Sequence, residues 1–512
     1  MTKTIAKAKW VVRGAKDRHS VDMIQDGAIL HEDGVVVQVG PAAAMIRDNP
    51  GAAVTGSDDH IILPGFVNSH HHVGMTPLQL GSKDLALELW LASRISARPL
   101  DAYLDTLYSA FEMIASGVTT VQHIHGWTAG PVDKIFGIAT KILQAYRDIG
   151  MRASYSYAVR EQNRLIYESD DFLLKSLPEL LSAQIAGILK PQQIPFEDNM
   201  ILYDHLVAEN YGQTLTKIQL APANLHWCTD NGLAALNARS ERDKVPMHMH
   251  LLETAYQKEY ARRRTGKTAV GHLADLGLLS PRLTLGHAVW LNEEDIDLVA
   301  AHGVCVCHNC SSNFRLRSGI APLNMFAAKG IAVAVGIDEA GLNDDRDMLQ
   351  EMRLILNVHR VPGMDDVPPT CPQVLRMATE HGAGTTPFGE SIGRLDPGRQ
   401  ADFVVINHRK ALFPYQDDQI DILDAILLRA KTNAVDATVI AGVTVYKDGV
   451  FRLVDRDLIL REIAEAFSRP RTARDNEMIE VSREIQTFVK AYYEQYFDDT
   501  LHSPFYRQSS RV

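Results

Sequence analysis

The sequence predicts an α/β protein in which a parallel β/α barrel is inserted into a small β-domain, with a helical extension at the C-terminal end. Three observations carry that expectation. β-like runs of similar character occur near both ends of the 512 residues. The long stretch between them alternates short apolar runs with helix-like segments. Histidines and an aspartate recur at the ends of those apolar runs, where chemistry gathers in a parallel barrel.

Taken in order, residues 8–12, 26–30 and 34–40 are β-rich and separated by turn residues. Residues 401–406 and 437–446 resemble them, so 1–60 and 395–455 are expected to build one composite β-sandwich around a barrel spanning 61–394. Within that insert, 118–121 precedes a helix-like 131–148, and 246–250 precedes the polar 254–265. Likewise 283–287 precedes 292–301, and 330–336 leads to Asp338. Residues 456–512 read as the helical extension: 457–467 is helical, Pro470 breaks it, and 475–497 is a longer amphipathic helix. Phe488, Tyr492, Tyr493, Tyr496 and Phe497 form an aromatic stripe on it, a packing face for the barrel or for another subunit.

Composition narrows the function classes. A formal net charge of −11, without a long Lys/Arg run, argues against a nucleic-acid partner. No apolar stretch approaches the roughly 20 residues of a membrane span, and residues 1–6 lack the apolar run of a signal peptide. The five cysteines (228, 305, 307, 310 and 371) do not form a disulfide framework in so long a chain, and a cytoplasmic location is expected.

The chemistry centres on residues 64–75, Pro-Gly-Phe-Val-Asn-Ser-His-His-His-Val-Gly-Met. On a strand His70 and His72 point to one side and His71 to the other, so the outer pair can chelate one ion. With His250 and Asp338 they make three imidazoles and a carboxylate, a donor set for Zn²⁺ and also for Fe²⁺ or Mn²⁺. Such an ion lowers the pKa of a bound water towards about 7. Glu253, three residues past His250, suits a proton shuttle. His287, in Gly286-His287-Ala288, could hold the attacking hydroxide and stabilise developing charge.

Those motifs resemble the amidohydrolase superfamily, in its branch of cytosine and guanine deaminases, adenosylhomocysteine deaminases and triazine hydrolases. The carrying segments are residues 64–72, Met249-His250-Leu251-Leu252-Glu253-Thr254, Leu285-Gly286-His287-Ala288, His308-Asn309-Cys310-Ser311-Ser312-Asn313 and Gly336-Ile337-Asp338-Glu339, with 393–402 as the return to the β-domain. The resemblance covers roughly 1–450 and implies a distorted TIM barrel with a composite sandwich. It implies one divalent ion per subunit, Zn²⁺ ahead of Fe²⁺ or Mn²⁺, held by His70, His72, His250 and Asp338. It further implies that Asp338 takes a proton from the water, that Glu253 protonates a ring nitrogen of the substrate, and that His287 stands beside the hydroxide. The implied reaction is hydrolytic deamination of an N-heterocyclic small molecule. Loss of halide or alkylamine from a triazine-like ring, or cleavage of an amide, carbamate or urea, is the alternative. A non-catalytic scaffold is disfavoured because the ligand set is complete. By analogy with relatives, a homo-oligomer is expected.

Departures from the pattern bear on the substrate. Ala223 stands where purine-type members often carry a histidine, with Asn224 and His226 beside it, which weakens a nucleoside reading. Gln79 stands where many members carry arginine, so a neutral hydrogen-bonding ring suits the site better than an anion. Trp90, His125, Asn309 and Ser312 complete the expected pocket, with His123 and Asn313 as further candidates and Trp90 equally suited to an ordinary core role. His71 and His248 read as structural, and Cys305, Cys307 and Cys310 as small buried residues rather than a zinc site. The acidic run 339–345 has two readings: near the metal it would favour a cationic or amine-bearing substrate, or it is a solvated helix start with Asp344 or Asp345 as the cap, the preferred reading.

Overall fold

A computed structural model describes residues 3–72, 74–126, 128–364 and 369–496. Eight parallel barrel positions are occupied in chain order by Phe66–His71, Val118–His125, Arg152–Val159, Thr216–Ile218 with its companion Ala221–Pro222, Met247–Leu251, Leu283–His287, Cys305–His308 and Val333–Val335. They pair as two arcs, one from the first four positions and one from the last four. Single bridges close the ring: His71 to Asp338 on one side, Leu220 to Met247 and Asn224 to His250 on the other. The fourth position is broken and the closures are short, which is the distortion expected of this barrel. Helices cover the barrel outside, so the strands are buried on both faces even where they carry polar residues, and Val118–His125 is buried at every residue.

The composite sandwich draws on both ends of the chain. Its strands form one hydrogen-bonded order: Val450–Phe451, Val443–Lys447, Val435–Ile440, Phe403–Asn407, Ala53–Pro64, Lys3–Ala15, Val21–Glu32 and Val35–Pro41. The seam between the two ends is antiparallel, with Val405 opposite Ile62 and Phe403 opposite Pro64. Ile29, Ile62, Phe403 and Val405 meet in its core. The sequence expectation did not single out Ala53–Pro64, whose centre is the polar Gly-Ser-Asp-Asp, and the boundary expected at residue 60 falls inside it. The single run expected over 437–446 is a hairpin of two strands.

Ala53–Pro64 runs through Gly65 directly into the barrel strand that carries the histidines. A buried ion pair locks the two layers there. Arg152 Nε lies 2.5 Å from Asp402 Oδ2, with both side chains nearly inaccessible, and Asp402 Oδ1 also accepts the Ala441 N–H at 2.7 Å. This explains why an aspartate ends the 393–402 return segment.

The extension consists of Arg456–Ser468 and Ala473–Glu494, the second opened by a reciprocal capping box between Thr472 and Asp475. Its buried stripe of Val481, Ser482, Ile485, Val489 and Tyr493 packs on the helix Leu87–Ser93 beside the barrel mouth. Phe497, expected in the aromatic stripe, lies outside the described residues. Among the described residues no helix is long and apolar enough to cross a membrane.

Candidate active site

His70 and His72 emerge at the end of Phe66–His71, His250 in Met247–Leu251, His287 at the end of Leu283–His287, and Asp338 just past Val333–Val335. The barrel brings all five to its carboxyl-end face. Backbone strain concentrates there: Leu252, His287, Ala288 and Asp338 all have positive φ, between 49° and 70°. Such conformations cost free energy in non-glycine residues and persist where the surroundings over-determine them. Gly336 has no room for a side chain, because a Cβ would stand 2.2 Å from Asn309 Oδ1 and 2.6 Å from His70 Cβ. The Asp338 N–H then bonds the His70 carbonyl at 2.8 Å.

The Nε2 atoms of His70 and His72 are 2.9 Å apart, and those of His72 and His250 are 3.1 Å apart. Asp338 Oδ1 stands 3.2 Å from His72 Nε2 and 3.5 Å from His70 Nε2. The second ring nitrogens fix the tautomers. His72 Nδ1–H donates to the Ile124 carbonyl at 2.7 Å, and His250 Nδ1–H to the Ala223 carbonyl at 2.8 Å. His70 Nδ1 meets His248 Nε2 at 2.8 Å, so His248 supports a ligand from behind. With those protons placed, lone pairs and a carboxylate converge on one point. Nitrogens about 2.0–2.1 Å from a common ion stand roughly 3 Å apart, as here. The donor set therefore fits a divalent cation.

Electrostatics agree. Burial drives His70 down to about 3 and His250 well below its ordinary value, so both are neutral donors. Burial opposes charge on His72 as well, but Asp338 outweighs it and raises that imidazole. Burial disfavours charge on Asp338, yet hydrogen bonds with His70 and His72 prevail and hold it well below the carboxylate range. Ser312 Oγ donates to Asp338 Oδ2 at 2.5 Å.

Glu253 sits on the other side of the centre. Thr254 caps the helix Ala255–Thr265 by accepting the Gln257 N–H, and Gln257 in turn accepts the Glu253 N–H at 2.9 Å. The carboxyl is thus held at a helix threshold, with Oε2 3.7 Å from His287 Nε2 and Oε1 3.5 Å from Ser318 Oγ. Burial first, then the charges of Asp338 and Glu88, push it well above its ordinary value. His287 Nε2 also stands 3.8 Å from Asp338 Oδ2, while Asn313 Oδ1 holds its Nδ1 at 2.9 Å. Burial lowers His287, keeping it neutral. A proton donor and a carboxylate therefore face each other across one imidazole.

The other expected residues divide into three groups. Trp90, Asn224 and His226 line the pocket above this centre. Asn309 and Ser312 lie beneath the centre rather than at the pocket wall: Asn309 Nδ2 reaches His287 Nε2 at 3.2 Å, and its Oδ1 accepts the Cys307 thiol at 3.4 Å. Gln79 and His125 are not in the pocket wall. Gln79 is exposed and closes its own turn, accepting the Thr76 N–H at 2.8 Å and donating to Tyr108 at 2.9 Å. His125 spends both nitrogens, on Tyr155 at 2.5 Å and Thr128 at 2.7 Å, and His123 is held by Tyr146 at 2.8 Å. His71 faces away, onto Ser109. The helix Met348–Val358 is capped by Asp347, not by Asp344 or Asp345; Asp344 instead bonds Thr76 and Arg315. All five cysteines are buried and unbridged.

Sequence reasoning passed over Arg160, Tyr167 and Gln257, all in the pocket wall, where Glu339 of the acidic run also stands. Arg160 follows the strand Arg152–Val159, and Gln257 is one helical turn past Glu253, so position alone could have found both. Tyr167 lies in a long irregular connection with no periodic signal.

The profile of the amidohydrolase family matches residues 61–445. A 5-methylthioadenosine/S-adenosylhomocysteine deaminase of Syntrophomonas wolfei subsp. wolfei is 31% identical over 461 residues, 87% of this chain and 95% of that protein. The zinc-bound adenosine deaminase of Xanthomonas campestris superposes with a TM-score of 0.75 at 24% identity, covering 91% of this chain and 98% of that one. The zinc complex of atrazine chlorohydrolase from Arthrobacter aurescens TC1 gives a TM-score of 0.75 at 19% identity, with 90% and 99% covered.

Proposed function

The chain belongs to the amidohydrolase family and is a hydrolase acting on carbon–nitrogen bonds; on that premise we propose that it deaminates an adenine-type nucleoside bearing a modified 5′ position. The reading rests on the 31% identity to a 5-methylthioadenosine/S-adenosylhomocysteine deaminase over 87% of this chain, and on one geometric observation: two buried carboxyl groups, Glu253 and Asp338, flank His287 Nε2 at 3.7 and 3.8 Å. Burial, then neighbouring charge, pushes Glu253 up, which suits it to the acid role of such a pair.

We assign His70, His72, His250 and Asp338 to one divalent ion, zinc by the donor set and by the zinc in two relatives of the same fold. When bound, the ion supplies the field that makes a water acidic enough to attack at neutral pH. Asp338 would take a proton from the attacking water, with its Oδ2 held in place by the Ser312 hydroxyl. Glu253, protonated, gives its proton to the ring nitrogen next to the attacked carbon. His287, its Nδ1–H held by the Asn313 side-chain oxygen, presents its Nε2 lone pair between the two carboxyl groups, where it orients whichever of them carries the proton. The proton held by Asp338 then passes to the departing amine, the remaining hydroxyl proton returns to Glu253, and ammonia leaves with the ring carbon carrying a carbonyl oxygen in its place. Trp90 and Trp227 supply apolar walls for a flat ring, and Asn224 and His226 supply polar groups at its edge.

The absence of an imidazole at Ala223 favours a second reading, a leaving group other than ammonia on a triazine-like ring. Five unbridged cysteines suit a reducing compartment such as the cytoplasm. The deciding experiment offers zinc-loaded protein 5′-methylthioadenosine, S-adenosylhomocysteine, 5′-deoxyadenosine and adenosine beside amino- and chlorotriazines, with products read by mass spectrometry. The inosine-type product with ammonia is expected. Chloride or alkylamine release, with every nucleoside untouched, overturns the proposal in favour of the second reading.

A further inference from the structure

The C-terminal helix reaches the pocket through one residue. Tyr167 is buried and lines the pocket, and its main chain is gripped on both sides by consecutive tyrosines of Ala473–Glu494. Its N–H donates to the Tyr493 hydroxyl at 3.1 Å, and its carbonyl accepts from the Tyr492 hydroxyl at 3.3 Å. The Tyr493 ring meets the Tyr167 ring edge-on, centroids 5.3 Å apart. Tyr167 then donates its own hydroxyl to Glu88 Oε1 at 2.9 Å, the oxygen that also accepts from Thr254 at 2.6 Å. Both ends of the phenol are tied, so the ring has no freedom to swing.

What that ring holds is His226. The two rings lie 4.2 Å apart at a tilt of 38°. His226 is 1% exposed, lines the pocket, and has a hydrogen-bond partner on neither ring nitrogen. A buried imidazole with both nitrogens unmet is costly unless a ligand or water completes it. The same helix also holds the element that carries Trp90. Ser482 Oγ donates to the Ala92 and Ser93 carbonyls at 3.1 and 3.3 Å, at the end of Leu87–Ser93, which carries Trp90.

We propose that the C-terminal extension is part of the substrate-recognition apparatus: Tyr492 and Tyr493 are positioning residues that fix Tyr167, and Tyr167 holds His226 ready to hydrogen-bond the bound heterocycle. The identity of that heterocycle rests on the preceding section; the positioning chain does not. The extension therefore acts in recognition and not only in packing, and Tyr167 is the joint between the two.

The test uses the zinc-loaded full chain carrying Tyr492→Phe and Tyr493→Phe together, which keeps both rings and removes both hydroxyls. Carbethoxylation of His226 by diethyl pyrocarbonate, followed by peptide mass spectrometry, reads the joint without any substrate. His308, equally buried but elsewhere, is the internal control. Loss of two hydrogen bonds is expected to speed modification of His226 by about five- to tenfold with His308 unchanged. On the nucleoside that the wild type turns over, KM is expected to rise by about five- to tenfold with kcat within about twofold. In a His226→Ala background the same pair is expected to add less than about twofold to KM, because the effect travels through the imidazole. Unchanged His226 reactivity, or a loss of thermal stability with KM unmoved, overturns the proposal. A wild type inert to every nucleoside overturns the functional reading alone, while the modification rates still decide this one.

Discussion

Replacing Glu253 by glutamine removes a dissociable proton and almost nothing else. The carboxyl is 3% exposed, Oε1 is 3.5 Å from Ser318 Oγ and Oε2 3.7 Å from His287 Nε2, so an amide of the same size keeps both neighbours. Glu253 belongs to neither the His70, His72, His250 triad nor the His70, His287, Asp338 triad, so metal content is expected to match wild type. A positioned acid contributes about 10²–10⁴-fold. The variant should therefore lose about 3–5 kcal/mol of transition-state stabilisation, seen in kcat rather than KM. Stability supplies an independent check of the protonation state. Burial raises the folded-state pKa of Glu253 above its unfolded value, so the folded protein binds the extra proton. That contribution is complete below the unfolded pKa and is lost as pH rises through the folded one. Glutamine has no proton to lose, so the melting temperature of Glu253→Gln should gain on wild type between about pH 5 and about pH 9. Ammonia-coupled kinetics, plasma mass spectrometry for metal and calorimetry at the two pH values make the assay. A fully metallated variant within about threefold of wild-type kcat would refute the acid role.

Three other outcomes are expected. His250→Ala should lose bound metal and activity together, measured on dialysed protein, because it deletes a donor whose tautomer the Ala223 carbonyl has fixed. Ser312→Ala should weaken metal affinity by about 10–100-fold in a competition titration with activity restored by excess metal, since the hydroxyl only orients Asp338. Asp402→Ala should destabilise the fold by about 3–5 kcal/mol in a denaturant titration, because it strands Arg152 without its charge partner inside the layer boundary.

The barrel and the chemical centre were legible because each rests on a local signal. An apolar strand ending in a polar residue is readable one strand at a time, and His70, His72, His250, His287 and Asp338 each end or closely follow such a run. Pocket walls are set differently. Gln79 stands at a position that invited a binding role, yet its own turn consumed the amide. His125 ends a barrel strand just as His287 does, but tyrosine and threonine neighbours take both of its nitrogens. The threonine is three residues away, but the tyrosines come from other elements, and nothing in the local run announces them. Tyr167 was illegible for the same reason, since its partners lie 325 and 326 residues further along the chain. The strand Ala53–Pro64 escaped notice because four polar residues interrupt its alternation where it is not buried.

The seam between the two ends of the chain has a consequence for synthesis. The strand Ala53–Pro64 offers Ile61, Ile62 and Leu63 to a partner, Phe403–Asn407, that the ribosome makes more than three hundred residues later. At about 10 residues per second that delay is roughly half a minute. Through that interval the nascent chain carries an apolar strand edge without its mate, directly upstream of the histidines. Strand edges of this kind recruit other chains, so the order of translation, and not the final stability, sets when this protein is most in need of a chaperone.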